Sequence, residues 1–290
     1  IINIIKEAEN MRAIKQAAII QAVKTLCIET NYQLPQDVRN AIDQASQIED
    51  GQLAKQTLSI LKENAKMAQS LSVPICQDTG MACLFVEIGQ DVHVQGSLQD
   101  ALQEGVRQGY QEGYLRKSVV DDPVFDRINT KDNTPALIHY EIVEGDKLKI
   151  IVAPKGFGSE NMSQVKMLKP SDGVEGIKDF VLKVVEEAGP NACPPMVIGV
   201  GIGGSFDYVT YLAKKAMLRD IGTHHNDLRY QQLEEELLEK INQLGIGPAG
   251  YGGKTTALSL NIETYPTHIA GMPVAVSICC HVARHKEVIL

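Results

Sequence analysis

The sequence predicts an α+β protein, with a helical N-terminal part over about residues 1–70 followed by a mixed α/β body over about residues 71–290. Before residue 70, apolar residues recur at three- and four-residue steps, which is the spacing of one helix face. After "VPICQDTG" (73–80), short apolar runs broken by glycine alternate with helical patterns, and no repeat or low-complexity linker separates them. We therefore predict a single domain over residues 1–290.

The helices are predicted from apolar spacing and end signals. In the segment 51–71, one face carries Ala54, Leu58, Leu61 and Ala65. Ser97 with Asp100 resembles a capping box that opens a helix. The apolar face of that helix comprises Leu102, Val106, Tyr110 and Tyr114. Further helices are predicted over "GVEGIKDFVLKVVEEAG", ending at Gly189, over "FDYVTYLAKKAMLRD", capped by Ser205, and over the exposed "DLRYQQLEEELLEKINQLG".

The strands are predicted from short β-rich runs. "ALIHYEIV" (136–143) and "KLKIIVAP" (147–154) flank a short polar turn and predict a β-hairpin. "PPMVIGVGIGG" (194–204) predicts a buried strand that runs into a glycine turn, and "TTALSLNIE" and "MPVAVSICC" predict two more strands.

Charge and hydropathy exclude several classes of protein. Lys and Arg number 28 against 36 Asp and Glu, a net charge of −8, which argues against a nucleic-acid or anionic-membrane surface. No apolar run reaches the roughly 18 residues that a membrane span requires. The amphipathic N-terminus "IINIIKEAENMRAIKQAAII" carries early charges, unlike a signal peptide. We expect a cytoplasmic protein with reduced thiols.

Three motifs suggest other functions. The single Asp-Thr-Gly at 78–80 resembles half of an aspartic protease site, but that site needs two carboxylates in contact. "GIGPAGYGGKTT" resembles a phosphate-binding loop, but Pro248 occupies the position where that motif requires its first glycine. Gly199, Gly201 and Gly204 match the dinucleotide-binding spacing, but no acidic residue at the end of a second strand follows. A nucleotide-binding protein therefore stays as a remote alternative.

The six cysteines divide by context. Cys27 and Cys83 lie in apolar segments, which predicts that both are packed in the core. Cys76 and Cys193 lie in proline-flanked loops, which can direct a thiolate to a metal. Cys279 and Cys280 are adjacent in a strand, so only one is expected in a common site. No Cys-x-x-Cys pair is present, so spacing alone leaves a separated three-cysteine metal site as one possibility.

Other polar residues have ordinary explanations from the sequence alone. His224 and His225 suit a helix end, and His268 suits a buried, hydrogen-bonded position in a loop between strands. Arg116 suits the C-terminal end of a helix, where a cation complements the dipole.

In combination, eight segments resemble the class I, iron–sulfur fumarate hydratases and their L-tartrate dehydratase relatives, and specifically the alpha subunit of the two-subunit form. They appear in order over nearly the whole chain: "CQDTG" (76–80), "LRKSVVDDP" (115–123), "NTKDNTP" (129–135), "APKGFGSENMS" (153–163), "NACPPMVIGVGIGGSFD" (191–207), "GPAGYGGKTTAL" (247–258), "YPTHIAGMPVAV" (265–276) and "CHVARH" (280–285). The resemblance implies the fold of the iron–sulfur fumarase alpha (N-terminal catalytic) domain.

The resemblance also implies roles for individual residues. It makes Cys76, Cys193 and Cys280 the ligands of a 4Fe-4S cluster, with Cys280 preferred over Cys279 because of its Cys-His-x-x-Arg-His context. The resemblance also implies that Asp78 and His268 are catalytic or substrate-side residues. It further implies that Gln77, Arg116 and Gly158 contact the substrate. The glycine-rich 247–258 segment is then expected to shape this site. We expect the three sulfur atoms to converge on one cavity.

The chemistry agrees with these roles. Three cysteines leave one iron of a cubane without a protein ligand, and that iron can act as a Lewis acid. Arg116 suits a dicarboxylate because guanidinium makes paired bonds with carboxylate, and Asp78 is the candidate acid.

Single-chain members of the family continue into a further domain that contributes to the site. We therefore expect a beta-subunit partner, with an alpha2-beta2 assembly, for the reversible hydration of fumarate to malate. L-tartrate or a related hydroxy-dicarboxylate is the alternative substrate.

Overall fold

The computed structural model describes residues 11–290, which cluster into two units. The first unit comprises residues 11–33, Ala68–Lys155 and Arg284–Leu290, and the second comprises Leu34–Met67 and Gly156–Ala283. The mixture of helices and mixed sheets confirms the predicted α+β class. The interpretation of residues 1–290 as one alpha-subunit domain stays a prediction, and the first half of the predicted amphipathic N-terminus lies outside the described residues.

The first unit is built on a four-stranded sheet. Its elements are β1 (Arg12–Lys15), α1 (Gln16–Tyr32), β2 (Met81–Gly89), β3 (Val92–Gln95), α4 (Leu98–Glu112), β4 (Leu137–Val143), β5 (Leu148–Lys155) and β10 (Lys286–Ile289). The sheet has the order β10-β5-β2-β4, and β1 pairs with β3 separately. Helices α1 and α4 pack together in an apolar core that includes Val23, Val106 and Leu84.

The predicted hairpin between β4 and β5 is wrong, because β2 lies between these two strands. β2 pairs in parallel with β4 and antiparallel with β5. The connection from β4 to β5 crosses the end of β2 at Gly89, where an added Cβ would lie 2.3 Å from the Gly145 carbonyl oxygen. Only glycine permits this close approach, so a short connection can join strands on opposite sides of β2.

The second unit contains another four-stranded sheet with helices packed on it. Its elements are α2 (Gln36–Ile48), most of α3 (Gln52–Leu71), α5 (Phe157–Glu160), β6 (Gln164–Leu168), α6 (Gly173–Ala188), β7 (Met196–Gly203), α7 (Tyr208–Ala216), α8 (Leu228–Gln243), β8 (Ala257–Tyr265) and β9 (Met272–Cys279). The order is β6-β9-β7-β8, with β7 parallel to β8 and antiparallel to β9. Every residue of β7 is buried.

The glycines of the dinucleotide-like spacing serve helix packing. Gly199 and Gly201 lie inside β7, and an added Cβ would lie 2.0 Å from the Ala213 carbonyl oxygen and 2.2 Å from that of Val209. Both oxygens belong to α7, so the glycines let this helix lie directly on the strand. The close contact between helix and strand accounts for Gly199 and Gly201 without a nucleotide.

Most predicted elements are confirmed, with corrections at helix ends. Ser97 caps α4, since its Oγ accepts a hydrogen bond from the Asp100 amide at 3.2 Å. Tyr114 lies beyond α4 and is 87% exposed, so it is not on the buried face. Ser205 does not cap α7, whose N-cap residue is Asp207; its hydroxyl instead donates to the Asp207 carboxylate. Helix α8 buries Leu233 and Leu237, so it is exposed on one side only.

No helix among the described residues is long and apolar enough to cross a membrane.

Candidate active site

The six cysteines divide into a buried and an accessible set. None forms a disulfide bond; Cys27, Cys83 and Cys279 are buried, whereas Cys76 and Cys280 are partly exposed and Cys193 is exposed. The prediction that Cys27 and Cys83 belong to the core is confirmed. Burial raises the pKa of the Cys27 thiol to about 12, which agrees with its place in the apolar core. The three accessible thiols are the three that the resemblance implies as ligands.

Cys76 lies in a loop whose start and end are fixed. The Ile75 amide donates to the Asn31 carbonyl oxygen of α1 at 3.0 Å. The Asp78 amide donates to Cys76 Sγ at 3.4 Å, and the Gly80 amide donates to Asp78 Oδ1 at 3.0 Å. The loop therefore holds the thiol and the neighbouring carboxylate in defined positions, while Gln77 is exposed.

Three consecutive carbonyl groups of this loop accept hydrogen bonds from buried side chains. Arg284 Nη2 donates to the Asp78 carbonyl oxygen at 2.9 Å. The Tyr110 hydroxyl lies 2.9 Å from the Thr79 oxygen and 3.0 Å from that of Gly80. These donors come from α4 and from the C-terminal segment, so distant parts of the sequence fix one loop.

Asn133 completes the support of the loop that carries Cys76. Its Nδ2 donates to the Gly80 carbonyl oxygen at 3.1 Å, and its Oδ1 accepts hydrogen bonds from the Ser118 and Val119 amides. Asn133 is fully buried. Sequence reasoning did not identify the supporting roles of Arg284, Tyr110 and Asn133. Arg284 and Asn133 lie in recognised segments, whereas Tyr110 showed only the spacing of an apolar helix face.

Arg116 is held by its main chain and exposes its side chain. Its amide donates to Thr79 Oγ1 at 2.9 Å, and its carbonyl oxygen accepts from the same hydroxyl at 3.2 Å. Among the described residues, its guanidinium has no hydrogen-bond or ion-pair partner. The expectation that Arg116 ends a helix is wrong, because α4 ends at Glu112. The structure thus places an exposed cation next to the loop of Cys76 and Asp78.

Cys193 projects from a turn at the start of β7. A 3-10 turn (Gly189–Ala192) follows α6, and Cys193 itself has a left-handed backbone conformation with φ 52° and ψ 61°. Its amide donates to the Pro190 carbonyl oxygen at 3.0 Å. The peptide bond between Pro194 and Pro195 is cis. The turn separates Cys193 from the buried strand that follows, which leaves its side chain exposed.

His281 joins the segments that carry the second and third candidate thiols. The His281 amide donates to the Cys193 carbonyl oxygen at 3.4 Å, and the Nδ1 atom of its ring lies 3.0 Å from the same oxygen. Cys280 precedes His281 in the chain, and Cys279 is the residue of β9 opposite Val197 of β7. The second unit therefore brings the segments of Cys193 and Cys280 to one end of its sheet.

The glycine-rich segment 247–258 supports the turn of Cys193. The Ala249 amide donates to the Pro194 carbonyl oxygen at 2.8 Å. An added Cβ at Gly250, whose φ is +79°, would lie 2.6 Å from the Pro190 ring. This contact gives Gly250 a role in packing against the turn, and the expectation that the segment shapes the site stays a prediction.

Gly158 lies on the same side of the second unit. It is exposed in the short helix α5, and a Cβ at Gly158 would lie 3.9 Å from the Asn191 carbonyl oxygen. Asn191 belongs to the 3-10 turn that precedes Cys193. The helix α5 thus packs beside the turn that carries this thiol.

His268 lies at the other end of this sheet. It follows β8, whose last residue Tyr265 pairs with Gly203, whereas Cys193 precedes the first residue of β7. The eight residues of β7 span roughly 23 Å between these two ends of the sheet. The Nδ1 atom of His268 accepts a hydrogen bond from the Ala270 amide at 3.2 Å, as expected for a hydrogen-bonded histidine. The expectation that His268 is buried is wrong, because its side chain is exposed.

Within residues 11–290, no group of three or more His, Cys, Asp or Glu side chains is arranged as the ligands of one metal ion. The chemistry of the accessible thiols fits an iron–sulfur cluster, since thiolates are its usual ligands. Cys76 belongs to the first unit, and Cys193 and Cys280 belong to the second. Their convergence on one cavity stays a prediction.

Comparison with known proteins identifies the family. Residues 20–289 match the fumarate hydratase (fumerase) family. A protein of Methanocaldococcus jannaschii, provisionally named L(+)-tartrate dehydratase subunit alpha, is 44% identical over 92% of this chain and 95% of its own length. The L(+)-tartrate dehydratase subunit alpha of Escherichia coli O157:H7 is 33% identical over 98% of this chain and 94% of its own length. The chain therefore belongs to the fumarate hydratase family and is an enzyme of the hydro-lyase class.

Proposed function

We propose that the chain is the alpha subunit of an iron–sulfur hydro-lyase that acts on a small hydroxy-dicarboxylate. The observation that carries the proposal is the division of the cysteines, because the three accessible thiols are those of the recognised segments. Two substrate pairs are candidates. The family favours the hydration of fumarate to malate, and the names of the two relatives favour the dehydration of L-tartrate.

Cys76, Cys193 and Cys280 are the proposed ligands of a 4Fe-4S cluster. When bound, such a cluster supplies an iron without a protein ligand, which acts as a Lewis acid on the hydroxyl group that is eliminated. The loops support this assignment because each presents its thiol outside the buried core.

Arg116 is the proposed clamp for one substrate carboxylate. Its exposed guanidinium can form two parallel hydrogen bonds with a carboxylate, and its main chain is fixed through Thr79 to the loop of Cys76. Gln77 and the Gly158 backbone are the further proposed substrate contacts, and both residues are exposed.

Asp78 is the proposed proton donor. Dehydration removes a proton from the carbon next to a carboxylate and a hydroxide from the adjacent carbon, so the departing hydroxyl needs a proton. The Gly80 amide holds one carboxyl oxygen of Asp78. The proposed catalytic role of His268 rests on the resemblance alone. The pairing of the strands places His268 at one end of the sheet of the second unit and Cys193 and Cys280 at the other.

A beta subunit is the proposed source of the group that abstracts the proton from carbon. Both relatives carry the word alpha in their names. We propose an alpha2-beta2 assembly in which the alpha chain holds the cluster and the beta chain completes the site.

Serine variants test the ligand assignment. After anaerobic reconstitution, we expect the wild type to hold the iron and sulfide of one cluster, and Cys76→Ser, Cys193→Ser and Cys280→Ser each to lose most of it. Cys279→Ser is the matched control, because this neighbouring residue is buried in β9, and it should retain the cluster. Full iron content in all three variants would contradict the assignment.

Activity assays test the substrate and the partner. L-malate and L-tartrate are offered to the reconstituted chain with and without the beta subunit. We expect turnover of one of them only when both chains are present. Full turnover by the alpha chain alone would contradict the need for a partner.

A further inference from the structure

We propose that the hairpin formed by residues 118–130 is the surface on which the beta subunit docks, with Phe125 as its central contact. This inference rests on the proposed function, which requires a second chain. The segment projects as a hairpin because the Asp121 amide donates to the Ile128 carbonyl oxygen at 2.9 Å and the Thr130 amide donates to the Val119 oxygen at 3.0 Å. Val120 and Asn129 form the antiparallel bridge between its two arms.

The tip of the hairpin is ordered by its own polar groups. Asp122 Oδ1 accepts hydrogen bonds from the Val124 amide at 2.6 Å and the Phe125 amide at 2.7 Å. These backbone donors lower the pKa of Asp122, so its carboxylate stays charged and bonded to the tip. The Arg127 Nη1 atom donates to the Pro123 carbonyl oxygen at 2.5 Å. Because polar groups at the tip bond to its own backbone, a partner binds a preformed surface.

The apolar side chains of the tip are exposed to solvent. Phe125 is 86% exposed, Val124 is 66% exposed and Ile128 is 58% exposed. An exposed aromatic side chain on a rigid support, with other apolar side chains nearby in the chain, is typical of a protein–protein interface. Solitary exposed apolar residues need no explanation, but three on one ordered tip indicate a contact with another chain.

The base of the hairpin is bonded to the candidate active site. Asn129 Nδ2 donates to the carbonyl oxygen of Lys117, the residue that follows Arg116. Asn133 bonds to the Ser118 and Val119 amides at the base and to the Gly80 carbonyl oxygen in the loop of Cys76. The hairpin therefore follows directly after the segment that contains Arg116.

This position favours the beta subunit as the occupant. The proposed reaction needs a proton-abstracting group from the partner next to the substrate that Arg116 binds. Nine residues of chain lead from Arg116 to Phe125, so the Cα atoms of these two residues lie at most about 30 Å apart. A partner domain that reaches the substrate at Arg116 can therefore also contact the tip.

The test is the affinity of the purified alpha chain for the beta subunit encoded by the same genome, measured by isothermal titration calorimetry. We expect Phe125→Ala to weaken binding by about 30-fold or more, the effect typical of a central aromatic contact. The melting temperature of the alpha chain alone should stay unchanged, since Phe125 makes little contact within the chain. Phe206→Ala is the matched control, because Phe206 is 63% exposed in the second unit, and it should bind as the wild type does.

The possible outcomes separate this inference from the proposed function. Wild-type affinity in Phe125→Ala overturns the docking surface and leaves the subunit assignment intact. A change in self-association of the alpha chain alone, without a change in beta binding, assigns the hairpin to contacts between copies and also overturns it. If the wild-type alpha chain does not bind the beta subunit at all, the subunit assignment itself fails.

Discussion

The hydroxyl group of Tyr110 is predicted to fix the loop that carries Cys76, and Tyr110→Phe removes this group alone. The side chain is fully buried, and its hydroxyl lies within hydrogen-bond distance of the Thr79 and Gly80 carbonyl oxygens. Burial raises the pKa of Tyr110, so the hydroxyl stays protonated and able to donate. Phenylalanine fills the same space, so the variant creates no cavity of importance.

The expected cost follows from the partners that remain. The Gly80 oxygen keeps its hydrogen bond from Asn133, whereas the Thr79 oxygen loses its donor. One unsatisfied buried acceptor costs about 1–3 kcal/mol. For a chain of this size, that corresponds to a decrease in melting temperature of roughly 2–10 °C.

Thermal unfolding and hydrogen exchange measure this effect. Tyr32→Phe is the matched control, because the Tyr32 hydroxyl donates to the Gly113 carbonyl oxygen from a part-buried position where water can replace it. We expect a larger loss of stability in Tyr110→Phe, with faster amide exchange in the peptide 76–80. Equal losses in the two variants, with unchanged exchange in this peptide, would refute the role of Tyr110.

Two further predictions concern packing and pH. Gly199→Ala should destabilise the chain by about 3 kcal/mol, because its Cβ would lie 2.0 Å from the Ala213 oxygen. Gly271→Ala, with no neighbour nearer than 3.9 Å, should cost under about 1 kcal/mol, and denaturant unfolding compares the two variants. Burial alone would raise the pKa of Asp132, but hydrogen bonds from Arg107 and a neighbouring threonine lower it to about 2. The stabilising effect of the Asp132 carboxylate is therefore complete above its unfolded-state pKa and is lost as the pH falls from about 4 towards 2. We expect Asp132→Asn to be less stable than the wild type at neutral pH and to approach the wild-type stability in acid. A constant difference in stability across this pH range would contradict the assignment.

The elements with strong local signals were predictable, and the pairing of strands was not. The segments "ALIHYEIV" and "KLKIIVAP" do form strands, but each pairs with β2. The short connection between them is as compatible with a hairpin as with the crossing over Gly89 that the structure contains. Local periodicity reports which residues form a strand, whereas the order of strands depends on contacts between distant segments.

The candidate site was predictable at the residues that carry reactive groups. Cys76, Asp78 and Arg116 stand in recognisable segments, and the structure places the main chain of Arg116 against the loop of the other two. The supporting contacts were not predictable. Tyr110 fits an apolar helix face by its spacing, and only the folded chain shows that its hydroxyl reaches the Thr79 and Gly80 carbonyl groups.

The central claim is that three thiols hold a cluster with one iron available to substrate. The most direct measurement is the Mössbauer spectrum of the complex of both chains, reconstituted with 57Fe, before and after addition of L-malate or L-tartrate. We predict a 4Fe-4S spectrum in which the signal of a single iron changes when one of these dicarboxylates binds. Absence of cluster iron, or a spectrum that neither dicarboxylate alters, would contradict the account.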